Sequence, residues 1–120
     1  MVRDVSGAVT YGLPFSNNIY SATLTANTDT TLTVPYIDAM GNATLNGTAL
    51  PNIMAIISWT QGNDLFVALG ATAAAPAGAS FASTTSEQNP AVKYVQGGQV
   101  MHFKTASTGV NVTVSFYSLD

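Results

Sequence analysis

Apolar and polar residues alternate in short runs along most of this chain, and the clearest run is near its end. Val110, Val112, Val114 and Phe116 alternate with Asn111, Thr113, Ser115 and Tyr117. A period of two predicts a strand with one face buried. Tyr20, Ala22 and Leu24 alternate in the same way with Ser21, Thr23 and Thr25, as do Leu32, Val34 and Tyr36 with Thr31 and Thr33. The bland segment Asn27-Thr28-Asp29-Thr30 predicts a hairpin turn between those two strands. Pro35 has no N–H for a ladder, so the second strand ends there or lies at an edge.

Met54-Ala55-Ile56-Ile57-Ser58-Trp59 is nearly continuous apolar sequence and predicts a central strand. Thr60-Gln61-Gly62-Asn63-Asp64 is a turn cluster, after which Leu65-Phe66-Val67-Ala68-Leu69 returns, the pattern of a hairpin with a Gly-containing loop. Val92–Val95 and Gln99–Thr105 flank Gln96-Gly97-Gly98, which reads as another hairpin turn. Ala43-Thr44-Leu45 is a short strand candidate within the turn-rich stretch from Asp38 to Asn52.

From Gly70 to Pro90 the pattern stops. Ala, Ser, Thr and Gly dominate, and Pro76 with Gly78 would limit any helix through Ala71–Ala75 to about one turn. This stretch is expected to be a long loop pinned by Phe81, and loops of that length are often functional. The first 18 residues alternate little and are expected to form an N-terminal arm that orders on a neighbour, with residues 19–120 forming the folded domain. Short strands, many turns and no amphipathic helix predict an all-β fold. The expected architecture is a single antiparallel β-sandwich or jelly-roll-like domain of about seven or eight strands.

Composition changes this picture in one respect. Lys and Arg number 3 and Asp and Glu 6 among 120 residues, whereas a soluble domain of this size ordinarily carries about thirty charges. The 47% of hydrophobic residues is ordinary, so the chain folds. It covers itself with hydroxyls, amides and methyl groups, as suits a protein packed against copies of itself or a larger assembly.

Arg3, Lys93 and Lys104 are the only basic side chains other than His102, and the formal charge is −3. This argues against nucleic acid and an anionic membrane surface as partners, because both require a clustered basic face. No apolar stretch is long enough for a membrane helix. The N-terminus lacks the pattern of a signal peptide, so the chain is expected to be made in the cytoplasm and used unprocessed.

Catalytic chemistry finds little support. His102 is the lone histidine and falls mid-strand between Met101 and Phe103, with no nucleophile elbow near any serine. It is expected to bond solvent or a neighbouring hydroxyl. Of the acids, Asp4, Asp29, Asp38, Asp64, Glu87 and Asp120, most fall in predicted turns or at termini, where aspartate serves as a turn former. With no cysteine and one histidine, a zinc site is excluded, and Asn63-Asp64 is a meagre calcium candidate. No catalytic, cofactor-binding or metal-ligating residue is therefore assigned, and the chain is not expected to be an enzyme. Gln96-Gly97-Gly98-Gln99 lacks the strand–loop–helix setting of a phosphate cradle. An alternative role is carbohydrate binding by an adhesin-like sandwich, in which Trp59, Tyr11, Tyr20, Tyr36, Tyr94 and Tyr117 would stack on sugar rings. Trp59 directly follows Ile56-Ile57-Ser58, which favours a place in or beside the core.

Five segments carry a family resemblance. They are Ile57-Ser58-Trp59-Thr60-Gln61-Gly62-Asn63-Asp64-Leu65-Phe66-Val67-Ala68-Leu69, Ala75-Pro76-Ala77-Gly78, Ser86-Glu87-Gln88-Asn89-Pro90, Val95-Gln96-Gly97-Gly98-Gln99-Val100-Met101-His102-Phe103 and Val110-Asn111-Val112-Thr113-Val114. With the sparse charge, they resemble the small β-sandwich capsid decoration, or cement, proteins of tailed bacteriophages. The resemblance implies a structural virion protein on the capsid surface that binds the assembled lattice of the major capsid protein and stabilises it. It also implies homotrimers at three-fold positions and no cofactor. The N-terminal arm and the Gly70–Pro90 loop would then be the contact elements.

Overall fold

The structure is a computed structural model in which residues 14–44, 47, 51–76, 81 and 85–119 are described. Its strands are β1 (Asn18–Leu24), β2 (Thr30–Thr33), β3 (Tyr36–Ile37), β4 (Ala43–Thr44), β5 (Asn52–Trp59), β6 (Leu65–Leu69), β7 (Glu87–Gln88), β8 (Val92–Gln96), β9 (Val100–Thr105) and β10 (Val110–Ser118). No helix occurs among the described residues. The fold is all-β, as the alternation predicts.

Two four-stranded antiparallel sheets face each other, one in the order β1-β10-β5-β8 and the other β2-β9-β6-β7. The small pair β3-β4 stands apart from both. The path is that of a long hairpin: β1, β2, β5 and β6 run against β10, β9, β8 and β7 in turn. This hairpin is then wrapped so that β5 also meets β10 and β6 also meets β9. That strand order is a jelly roll, one of the double-sheet solutions open to antiparallel chains.

The wrapping corrects three expectations. Strands β1 and β2, β5 and β6, and β8 and β9 are each joined by a tight turn, yet the members of each pair lie in different sheets. None is a hairpin in the ladder sense. The turn residues reverse the chain as expected, but each reversal carries it across the core to the opposite sheet. Alternation specifies which face of a strand is buried and is silent about its neighbour.

The core lies between the sheets. Leu24, Val112, Val114, Phe116, Ile53, Ala55 and Ile57 come from one inner face, and Leu32, Leu65, Val67, Met101 and Phe103 from the other. Trp59, Tyr20 and Ala22 pack at its margin. Strand β2 ends at Thr33, ahead of Pro35, and lies at a sheet edge. Val34 is buried and its N–H reaches Gln99 O, so the ladder extends one residue past the strand. Phe81 is fully exposed and is not the hydrophobic pin expected of it. The arm before Pro14 and residues 77–80 and 82–84 of the loop lie outside the described residues.

Candidate assembly surface

Each sheet has an outer face, and the two faces differ in charge. On the β2-β9-β6-β7 sheet, His102 and Lys104 of β9 share the outer face with Phe66 and Ala68 of β6 and Thr31 of β2. His102 Nδ1 lies 2.7 Å from Asp29 Oδ2. Asp29 Oδ1 accepts the N–H of Ala73 at 2.9 Å, and Ser86 Oγ accepts the N–H of Ala74 at 3.0 Å. The histidine therefore bonds a carboxylate, where a hydroxyl or solvent was expected. Asp29 does more than shape its turn, since it ties the segment after β6 to the start of β2 and to β9.

Burial acts to raise the pKa of the Asp29 carboxyl. The hydrogen bonds from His102 and Ala73, with the charges of His102 and Lys104, outweigh it and hold the group below the usual carboxylate value of 3.8. Both carboxylate oxygens are occupied by structural partners. Neither residue lines the clefts beside Lys93, Trp59 or Phe116. This is the arrangement of a tether.

Other candidates resolve similarly. Asp38 Oδ1 accepts the N–H groups of Met40 and Asn42 and closes its turn, as an aspartate there should. Trp59 is half-buried and donates Nε1–H to Asn63 O at 2.9 Å, clamping the β5–β6 turn. The ring expected in or beside the core is at its edge. Lys93 and Glu87 point inward from the facing edge strands β8 and β7 and pair at 2.5 Å. They stand at the mouth of a cleft of about 300 Å³ lined by Val67, Leu69, Val95 and Met101. Inward-pointing charge of this kind protects sheet edges from further pairing. Among the described residues, no cluster of three His, Asp or Glu side chains could hold a metal ion. No helix there is long and apolar enough to cross a membrane.

The outer face of the β1-β10-β5-β8 sheet is different. Register places Ile19, Ser115, Ile56 and Val92 in one row across all four strands, and Tyr117, Met54 and Tyr94 in the adjoining row. Towards the opposite end the rows turn polar, with Ser21, Thr113 and Ser58, then Thr23 and Asn111. Among the described residues, no charged side chain lies on this face. The described charges sit before β2 (Asp29), after β3 (Asp38), in the β5–β6 turn (Asp64), between the sheet edges (Glu87, Lys93) and on the opposite outer face (Lys104).

The hydroxyls of the apolar band are used within the chain. Tyr117 donates to Pro14 O and Tyr94 to Asn52 Oδ1. Both rings could be covered without stranding a donor. Of the aromatic set weighed for sugar stacking, Tyr94 and Tyr117 share this row. Alternation alone does not reveal the row, because it depends on which strands are neighbours. No protein-family model, curated protein or solved structure matches the chain.

Proposed function

We propose that this chain is a structural virion protein of the capsid decoration, or cement, type. It binds the assembled shell of a tailed phage and stabilises it against opening. The observation that carries the reading is the charge-free outer face spanning β1, β10, β5 and β8. A surface of methyl, thioether, phenol and hydroxyl groups is poor equipment for a charged substrate. It suits a protein contact, where removing an ion from water is costly and removing a hydroxyl or methyl is not. The scarcity of charge along the whole chain and the loose resemblance to phage cement proteins support the same reading.

The mechanism is mechanical. Copies associated with one another on the lattice bridge neighbouring major capsid subunits. Many modest contacts act together through multivalency. Affinity for the assembled shell alone stabilises it by linkage. The test is to mix purified protein with undecorated shells. Co-sedimentation with a raised shell melting temperature is expected, and a protein left in the supernatant overturns the reading.

A further inference from the structure

We infer that the outer face of the β1-β10-β5-β8 sheet is where one copy of this chain packs against another. The inference rests on the assembly reading and names the partner at that face.

Isolated exposed apolar residues are ordinary, but a contiguous band marks a contact surface. Ile19, Val92 and Tyr94 are 57%, 55% and 60% exposed, and Met54, Ile56 and Tyr117 lie between them half-buried. Isoleucine, methionine and tyrosine without aspartate, glutamate or lysine is the composition found at the centre of interfaces between identical subunits.

Charge identifies the occupant. Every copy carries a formal −3, so two copies repel through most approaches. This face is the approach from which the described charges have been removed, and no like charges meet when two such faces come together.

Size agrees. Four strands about 4.8 Å apart and about seven residues long at 3.4 Å each give a projected footprint of roughly 19 by 24 Å. That is about 460 Å², the size of a contact patch and somewhat over half of the ~800 Å² that each partner gives to a standard interface.

The experiment is the solution mass by light scattering of the wild type, of Ile19→Lys with Val92→Lys, and of Thr31→Lys on the opposite sheet. Both positions of the pair are exposed in the single chain, so lysine there should leave the fold intact by far-UV circular dichroism. We expect an oligomer for the wild type and Thr31→Lys, and a folded monomer for the pair. A monomeric wild type at tens of micromolar, or a pair variant that stays oligomeric, overturns the inference.

Should the pair variant not fold, Val92→Cys decides, since the chain has no other cysteine to react. Its thiol should be labelled slowly in concentrated native protein and at the free-thiol rate after dilution. Labelling at the free-thiol rate throughout overturns the inference. An oligomer that ignores capsid shells would sink the cement reading and leave this interface standing. A monomer that binds shells would do the reverse.

Discussion

The ring of Tyr36 lies so close to Gly97 that a Cβ at position 97 would stand 2.6 Å from ring carbon Cδ1. Tyr36 belongs to β3, in the small pair outside the main sheets, and Gly97 to the turn between β8 and β9. The next residue, Gly98, has φ +87°, a conformation that disfavours side chains, and its N–H bonds Val34 O. The two glycines are required for different reasons, one for the approach of a ring and the other for backbone conformation. Gly97→Ala should destabilise the fold by about 1–3 kcal/mol, the usual result of forcing atoms into a packed site. The check is the urea midpoint of Gly97→Ala in the wild type and in a Tyr36→Ala background. Relief of most of the penalty in the second background is expected, and an equal loss in both would show that the ring is not its cause.

The pairing of Asp29 with His102 predicts a pH dependence of stability. The folded carboxyl has a pKa below the unfolded value near 3.8, so between the two values the unfolded chain binds more protons. Its contribution is therefore complete above about pH 4 and disappears as pH falls through the folded value. Asp29→Asn should flatten this part of the acid limb. At neutral pH it should lower stability by about 1–2 kcal/mol through the weakened bonds to His102 and Ala73. Urea unfolding between pH 2 and 6 measures both effects, and parallel limbs for the two proteins would refute the assignment.

Two phenylalanines should respond oppositely to truncation. Phe103 is buried in the core, opposite Thr30 on β2 and Val67 on β6. Phe103→Ala removes a whole ring from a close-packed site and should cost about 3–5 kcal/mol. Phe81 is fully exposed, so Phe81→Ala should shift stability by less than about 0.5 kcal/mol. The sequence reading gave Phe81 the role of a pin, and comparable losses at both positions would restore it.

These residues show how far the sequence reached. The buried faces of β1, β9 and β10 were legible because each alternates cleanly, and Pro35 announced the end of β2. The sheet partners were not legible. A turn such as Gln96-Gly97-Gly98 serves equally to reverse a chain within a sheet or to carry it to the opposite one. Strand β7, two residues long, is too short to produce a periodic signal. The Asp29–His102 tether joins positions far apart in the chain, and nothing local to either residue announces it. The charge-free face was present in the composition as a shortage of charge, but its location depended on the register of four strands. The arm and the Gly70–Pro90 loop, expected as contact elements, are irregular stretches of sequence, whereas the apolar band lies on the most regular part of the fold.

If copies associate through that face, salt should matter little. Screening weakens contacts between charges, and the band formed by Ile19, Met54, Ile56, Val92, Tyr94 and Tyr117 contains none. The remaining electrostatic effect is repulsion between copies of net charge −3, which salt relieves. Self-association should therefore hold or strengthen slightly from about 50 mM to 1 M sodium chloride, well beyond the salt at which the Debye length falls to ~10 Å. Sedimentation velocity across that range is the measurement. A steep loss of oligomer with salt would mean that charged residues hold the copies together, and would shift the contact to the side of the molecule bearing Lys104, Asp29 and His102.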